Sequence, residues 1–278
     1  MLTRTIPSSG EELPLIGLGT WQAFDVGNRE EERAPLRAVL SAFAASGARV
    51  IDSSPMYGRA ERVLGDLIAE LGLRPRLYIA TKVWTTGRKS GIDQMEESMR
   101  RLRVDHLDLL QVHNLVDART HLDTLRAWKR DGRVRYIGLT HYTARGAEEI
   151  ADLLHAEPVD FVQINYGPIE REAERRLFPL TRDRGIAVLA NRPLGGDSGR
   201  LMKRLSAASL PEWAAEIGCT SWAQLALAFV VSHPAVTCAI PATTRPDHLR
   251  DNVRAGAGPL PDQPLRKRIA EAIAQAAG

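Results

Sequence analysis

The stretch "RVIDSSPMYGRAERVLG", residues 49–65, begins as a buried strand and then departs from that pattern. Val50 and Ile51 are apolar and β-branched, yet Asp52 follows them directly, and Tyr57 lies in the turn beyond. A carboxylate that is buried without a partner costs several kcal/mol. Asp52 therefore either caps the following turn or meets a cation or hydrogen-bond donors from elsewhere in the chain.

Other short apolar runs recur along the chain, and helix-like segments separate them. Runs that are apolar throughout favour a parallel sheet covered on both faces. Eight such βα units in 278 residues predict an α/β fold, a single (β/α)8 TIM barrel over residues 1–278, with an open doubly wound sheet as the alternative. The predicted strands are "LIGLGT" (15–20), "RVIDSS" (49–54), "LYIATKV" (77–83), "LDLLQVH" (107–113), "VRYIGLT" (134–140), "FVQINY" (161–166), "IAVLAN" (186–191) and "TCAIPA" (237–242).

Apolar residues recur at helical spacing after the first and third runs, and glycines stand where helices should end. The apolar positions are Leu36, Val39, Leu40 and Phe43, then Ile92, Met95, Met99 and Leu102, and the stops are Gly47, Gly72 and Gly132. The opening "TRTIPSSGEELPLI" (3–16) predicts a short β-hairpin at the bottom of the barrel. The first turn, "LIGLGTW", lacks the third glycine of a dinucleotide-binding fingerprint, which weighs against the open sheet.

Composition excludes several classes of function. The 37 basic and 34 acidic residues are interleaved, without the clustered basic face that nucleic acid binding needs. Cys219 and Cys238 are the only cysteines, so we expect neither a disulfide framework nor a metal site. The N-terminus lacks the apolar core of a signal peptide, and no apolar stretch reaches the ~20 residues of a membrane span. We therefore expect a cytoplasmic protein that binds neither nucleic acid nor a membrane.

Polar residues follow the apolar runs, at the rim where barrels of this kind hold their chemistry. Lys82 is one of five lysines in the chain and would supply the cation that Asp52 needs. Such a pair beside Tyr57 also has a use, because a phenol with a pKa of about 10 donates a proton poorly until a cation lowers that value. His113 would orient a substrate oxygen or relay a proton. The rim residues are Asp52, Lys82, His113, Thr140, Gln163, Asn165 and Asn191.

The order Asp52, Tyr57, Lys82, His113 across consecutive strand ends resembles the catalytic tetrad of the aldo-keto reductases. The resemblance extends over nearly the whole chain, through "GLGTW" (17–21), "IDSSPMYG" (51–58), "ATKVW" (80–84), "QVHN" (111–114), "YIGLT" (136–140), "VQINY" (162–166) and "IPATTRPDHLRDN" (240–252). It implies carbonyl reduction by hydride transfer from a nicotinamide cofactor. Tyr57 would protonate the oxygen, Lys82 would lower its pKa, Asp52 would hold Lys82, and His113 would direct the carbonyl.

The resemblance also implies a cofactor site. The residues at the nicotinamide end would be Gly19, Thr20, Asp52, Thr140, His141, Gln163 and Asn191, the last standing where many relatives stack an aromatic ring. Arg192, Pro193 and Leu194 begin a glycine-rich loop, completed at Gly199, that would close over the pyrophosphate.

The segment "PATTRPDHLRDN" (241–252) would bind the other end of the cofactor, because a helix N-terminus suits a phosphate. Thr243, Thr244 and Arg245 would hold the 2′-phosphate, and Asp251 and Asn252 would face the adenine. Many relatives have lysine at the place of Ala242 and arginine at that of His248, so two cations are absent. NADPH is expected because Arg245 offers a planar cation, with NADH as the alternative cofactor.

Trp21, Phe24 and Trp84 would wall a pocket for a small carbonyl substrate, together with Tyr57, His113 and Asn114. Trp128, Trp213 and Trp222 lie in helical patterns and are expected in the core. The chain would act as a monomer, as the resemblance implies. Two rival functions remain at this stage: a lyase that forms a Schiff base through Lys82, and a non-catalytic subunit that senses the nicotinamide cofactor.

Overall fold

A computed structural model describes residues 1–196 and 199–278, and its main sheet follows the order of the chain. Eight parallel strands each pair with the next in sequence, and helices connect them, which confirms the (β/α)8 barrel. A hairpin of β1 (Thr3–Thr5) and β2 (Glu12–Pro14) precedes the barrel. The barrel strands are β3 (Leu18–Gly19), β4 (Val50–Asp52), β5 (Tyr78–Val83), β6 (Leu107–His113), β7 (Val134–Thr140), β8 (Phe161–Asn165), β9 (Ala187–Asn191) and β10 (Cys238–Ala239).

The helices bury the apolar faces that the sequence predicts. Leu36, Val39, Leu40 and Phe43 are buried, as are Met95, Met99 and Leu102, while Ile92 packs at the edge of the core. Gly47, Gly72 and Gly132 follow their helices with φ of 81°, 61° and 74°, which a side chain would strain. The helices are α1 (Glu30–Ala45), α2 (Ala60–Glu70), α3 (Arg88–Leu102), α4 (Ala118–Arg130), α5 (Ala144–Leu154), α6 (Leu177–Asp183), α7 (Arg200–Leu205), α8 (Trp222–Val231), α9 (Pro246–Arg254) and α10 (Gln263–Ala277). Of the helices described, none has the length and apolar character to cross a membrane.

The barrel closes where its first and last strands meet. The backbone N–H of Gly17 donates to Ala239 at 2.8 Å, and that of Gly19 donates to Pro241 at 3.0 Å. A Cβ atom on Gly17 would lie 2.7 Å from the Val50 carbonyl oxygen, and one on Gly19 would lie 2.9 Å from that of Ile240. Gly17 is therefore required by the close approach of the β4 backbone, and Gly19 by that of the backbone after β10 at the closure.

The N-terminal hairpin covers the bottom of the barrel, as the sequence predicts. Ile6 and Leu13 are fully buried and join the cluster of side chains that fills the barrel interior, which includes Tyr78, Tyr136 and Phe161. The Tyr136 hydroxyl donates to Glu11 at 2.9 Å and accepts from the Ser9 hydroxyl at 2.7 Å, both in the hairpin turn. The bottom is thus sealed, and the opposite rim is left for chemistry.

Candidate active site

The carboxyl ends of the barrel strands bring the predicted polar side chains to one rim. Asp52, His113, Thr140 and Asn191 are each the last residue of a strand, β4, β6, β7 and β9. Lys82, in β5, pairs in register with Gln111 of β6. Parallel strands in adjacent register hold these side chains at one level, so the rim assembles from residues that are distant in sequence.

Lys82 and Asp52 form a buried ion pair at the floor of the rim. The Lys82 Nζ lies 2.8 and 2.7 Å from the two carboxylate oxygens of Asp52 and 2.6 Å from the backbone oxygen of Ser53. These three contacts match the three N–H donors of an ammonium group. Burial raises the pKa of Asp52, and the charge of Lys82 acts against this shift. For Lys82, burial lowers the pKa, but Asp52 and its neighbours raise it above its ordinary value.

Two glutamines extend this network across the barrel. Gln163 donates from Nε2 to Asp52 Oδ2 at 3.3 Å, and its Oε1 accepts from Gln111 Nε2 at 2.7 Å. An amide offers two N–H donors and two lone pairs, so Gln163 keeps one of each for a bound molecule. Gln111 was not predicted as a site residue. The signal for it in the sequence is a polar amide side chain inside an otherwise apolar strand, and the structure buries it fully.

Tyr57 lies over the ion pair. The Lys82 Nζ is 5.2 Å from the centroid of the Tyr57 ring. Burial raises the pKa of Tyr57, and the positive charges of Lys82 and Arg192 act against this shift. Lys82 thus acts in the predicted direction, but the net pKa stands above the ordinary value because loss of hydration outweighs the nearby charge.

His113 lies beside Tyr57, with the ring centroids 6.1 Å apart and the planes at 84°. Its Nδ1 is 3.1 Å from the Ser54 hydroxyl, which fixes the ring orientation. Burial, followed by the charge of Lys82, lowers the pKa of His113 to about 3. The imidazole is therefore neutral near pH 7 and offers one N–H donor and one acceptor. Ser54, which sequence reasoning missed, lies within the quoted motif between Asp52 and Tyr57.

The rim opens into a cavity of about 1210 Å³. Small-molecule sites have volumes of roughly 300–1,000 Å³, so this cavity has room for an elongated cofactor and a second molecule. Trp21 and Trp84 stand on its wall, each 41% exposed. The predicted residues that line the cavity are Gly19, Thr20, Trp21, Asp52, Tyr57, Trp84, His113, Asn114, Thr140, His141, Gln163, Asn191, Arg192, Pro193, Leu194, Thr243, Thr244, His248, Asp251 and Asn252.

Two predicted site residues are placed elsewhere. Phe24 is fully buried in the hydrophobic core and is not part of the cavity wall. Its backbone N–H donates to the backbone oxygen of Thr20, and the turn that this bond closes directs the ring inward. Arg245 is exposed outside the cavity, and its Nε and Nη2 bind Asp247 at 3.1 and 2.5 Å. The prediction of a pocket wall at Phe24 therefore disagrees with the structure, whereas binding of the 2′-phosphate by Arg245 stays a prediction.

Two buried oxygens in the cavity wall have no hydrogen-bond partner within the described ranges. They are Oδ1 of Asn191 and Oδ1 of Asn114. The Asn191 Nδ2 group is already used, donating to the backbone oxygen of His141 at 3.2 Å. A buried acceptor without a donor is costly, and the amide N–H2 of a nicotinamide is a donor that would satisfy it. The unpaired acceptor oxygens at this end therefore fit the expected cofactor.

The far end of the cavity lies at the start of α9. The Thr243 hydroxyl accepts from the Arg245 N–H at 3.0 Å, and Asp251 accepts from Ser221 and Gln224, each at 2.5 Å. Within the described ranges, Arg192 is the only lysine or arginine on the cavity wall. The wall at this far end thus offers hydroxyls and the N–H groups of a helix start to a phosphate, with Arg245 just outside it.

Several wall residues were not predicted. They are Gln22, Met56, Tyr142, Met202, Ser206, Leu210, Thr220, Ser221 and Trp222 among others. Trp222 was expected in the core and is indeed buried, as is Trp128, while Trp213 is half-buried. The loop predicted to cover the pyrophosphate contributes Gly195, Gly196 and Gly199, whereas Asp197 and Ser198 lie outside the described residues.

Comparison with known proteins gives one consistent result. The model of the Aldo/keto reductase family matches residues 15–272. The methylglyoxal reductase YeaE of Escherichia coli is 31% identical over 261 residues, covering 91% of this chain and 89% of that protein. An aldo/keto reductase from Klebsiella pneumoniae, solved with NADP and acetate, is 27% identical with a TM-score of 0.82, covering 97% of this chain and 94% of that one. Another from the same organism, solved with NADPH, has a TM-score of 0.77 at 27% identity, covering 98% and 96%.

Proposed function

The chain belongs to the aldo/keto reductase family, and from this we propose that it reduces aldehydes or ketones to alcohols with NADPH through Tyr57, Lys82, Asp52 and His113. The observation that carries the proposal is the Asp52–Lys82 pair, which is buried directly beneath Tyr57 at the floor of the cavity. A buried ion pair is costly to assemble, so its place under a phenol needs a chemical reason.

We assign NADPH to the cavity because the Klebsiella pneumoniae relatives bind NADP and NADPH and because the unpaired Asn191 oxygen suits a carboxamide. When bound, NADPH supplies a hydride to the carbonyl carbon. Gly19, Thr20, Thr140, His141 and Gln163 would hold its nicotinamide end, and Asn191, Arg192, Pro193 and Leu194 would continue along the loop. At the other end, Thr243, Thr244, His248, Asp251 and Asn252 would hold the phosphate and adenine.

Tyr57 gives its phenolic proton to the carbonyl oxygen, so that one hydride and one proton add across the C=O bond. The Lys82 ammonium stabilises the phenolate that remains, and Asp52 keeps Lys82 charged and in place. His113 is neutral and donates a hydrogen bond that directs the carbonyl oxygen towards Tyr57. Trp21 and Trp84 exclude water from one wall, and Asn114 adds a polar group to it.

The Schiff-base lyase is less well supported by the geometry. A lysine nucleophile must be free and unprotonated, whereas all three donors of Lys82 are matched by Asp52 and Ser53, and its pKa is raised. Borohydride trapping would reveal a Schiff base if one formed.

The test begins with fluorescence titrations of the protein with NADPH and, separately, NADH. An aldehyde such as 4-nitrobenzaldehyde is then added while the absorbance of the reduced nicotinamide is followed and the product is identified. We expect tight NADPH binding, aldehyde-dependent oxidation and formation of the alcohol. Binding without turnover across a panel of aldehydes would favour the sensing subunit, and absence of binding would overturn the cofactor assignment.

A further inference from the structure

Arg192 has an unusual place at the mouth of the cavity. It directly follows β9 and has φ of 51°, a left-handed conformation that a non-glycine residue adopts at a cost. Such strain is concentrated at functional sites, where the surrounding structure holds the residue in place. The structure around Arg192 thus holds its backbone in a strained conformation that an ordinary surface arginine would not require.

The guanidinium of Arg192 lies between two aromatic rings from other loops. Its central carbon is 4.6 Å from the centroid of the Tyr142 ring and 5.5 Å from that of Trp21. Tyr142 follows β7 and Trp21 follows β3, so the stack spans the mouth of the cavity. Cation–π contacts hold a guanidinium by its faces and leave its N–H edge available for an anion.

Arg192 forms no ion pair with any residue that the structure describes. Among the described residues, no carboxylate lies within 4.0 Å of its guanidinium nitrogens, whereas Arg245 at the other end of the cavity is paired with Asp247. Glu170 is the neighbouring carboxylate: a Cβ atom on Gly196 would be 2.9 Å from Arg192 Nη1 and 3.3 Å from Glu170 Oε1. Asn165 donates to the other carboxylate oxygen of Glu170, Oε2, at 3.1 Å.

The positive charge acts at the reacting end of the cavity. Arg192 is near enough to Tyr57 to act, with Lys82, against the upward shift of the Tyr57 pKa. It also packs on Trp21, which lines the cavity beside the catalytic rim. An anion bound to Arg192 would therefore lie in the same cavity as Tyr57, beside Trp21.

We propose that the side chain of Arg192, whose backbone belongs to the loop expected to run along the cofactor, binds the carboxylate of an anionic carbonyl substrate. The protein would then prefer oxo acids or aldehyde acids over neutral carbonyls. The proposal rests on the proposed function and names the substrate class of the same site. A planar guanidinium can bind a carboxylate through two parallel N–H donors, which fixes the orientation of the substrate as well as its affinity. Tyr142 and Trp21 preorganise the guanidinium for this contact.

The test compares 4-carboxybenzaldehyde with its methyl ester, which differ in one negative charge. We expect Arg192→Met to lower the ratio of kcat/KM for the acid over the ester by about tenfold or more, mainly through KM for the acid. Arg192→Lys should recover part of that ratio, because it keeps the charge but loses the planar fork. Arg100→Met, an exposed arginine on α3, should leave the ratio as in the wild type.

A binding measurement keeps the proposal testable if turnover is slow. Calorimetry with 4-(hydroxymethyl)benzoate on the NADPH-saturated protein should show binding that Arg192→Met weakens about tenfold or more. An unchanged acid-to-ester ratio together with unchanged benzoate binding would overturn the proposal. An unchanged ratio with weaker NADPH binding would assign Arg192 to a cofactor phosphate instead. Failure of the wild type to reduce either aldehyde would count against the proposed function, while loss of benzoate binding in Arg192→Met would still support the anion site.

Discussion

Lys82 presents its Nζ at 2.8 and 2.7 Å to both carboxylate oxygens of Asp52, and the two side chains are buried together beneath the cavity. Removing one member of such a pair leaves an uncompensated charge. We expect Asp52→Asn to lower the free energy of unfolding by about 3–5 kcal/mol in urea titrations. Asp93→Asn, which breaks an exposed pair with Lys89, should cost less than about 1 kcal/mol. Similar losses in both variants would contradict a special cost for the buried pair.

Tyr57→Phe removes the proposed proton donor and keeps the ring. We expect kcat to fall by about 10²–10⁴-fold, the contribution typical of a general acid, while the Kd for NADPH changes little. Tyr136→Phe is the matched control, because its phenol lies at the sealed bottom of the barrel, bonded to Ser9 and Glu11. Full activity in Tyr57→Phe would remove this residue from the mechanism.

The low pKa of His113 predicts a particular dependence of stability on pH. Its folded value is about 3, whereas an unfolded histidine titrates near pH 6.5, so between these values the unfolded chain binds the extra proton. The contribution of His113 to the free energy of unfolding is therefore fully present above about pH 6.5. It is lost as the pH falls towards 3, at up to about 1.4 kcal/mol per pH unit. Urea titrations between pH 7 and 5 should show a shallower loss in His113→Gln than in wild type.

The packing of the first barrel strand against β4 depends on Gly17. A Cβ atom there would lie 2.7 Å from the backbone oxygen of Val50, which cannot move without disturbing the strand. We expect Gly17→Ala to lower the free energy of unfolding by about 1–3 kcal/mol. Gly258→Ala is the control, since its Cβ would meet only the Ile217 oxygen, at 3.4 Å. Wild-type stability in Gly17→Ala would show that the strands separate more easily than the structure indicates.

The choice between NADPH and NADH should respond to charge at Ala242 rather than at Arg245. Ala242 lines the cavity, and Arg245 is paired with Asp247 outside it. We expect Ala242→Lys to strengthen binding of NADPH relative to NADH, with Ala242→Met as the uncharged control of similar length. Arg245→Ala should alter the ratio of the two Kd values by less than about threefold. A large loss of NADPH binding in Arg245→Ala would restore the original prediction for this residue.

The strands and the rim could be predicted because both depend on local patterns. Apolar runs of strand length mark a buried parallel strand, and Asp52, Lys82 and His113 stand out because each interrupts such a run. In a parallel barrel the ends of all strands meet at one rim, so convergence follows from topology alone. The barrel is confirmed, whereas the catalytic roles of these residues remain predictions.

The remaining features depend on how loops fold in three dimensions. Phe24 looked like a pocket residue because it follows a strand end, but one turn of backbone decides whether the ring faces the cavity or the core. Likewise, the stack of Trp21, Arg192 and Tyr142 joins three loops that are distant in sequence. The raised pKa of Tyr57 could not be predicted either, because it reflects the balance of burial against the charge of Lys82.

The short strands at the closure also couple ligand binding to local opening of the backbone. β3 and β10 have two residues each, and the cavity wall includes Gly19 on one side of their junction and Ala242 and Thr243 on the other. A molecule that contacts both sides links the first and last strands non-covalently. Amide hydrogen exchange at Gly17 and Ala239 would consequently slow when the cavity is filled, so these two amides report occupancy of the site from within the scaffold.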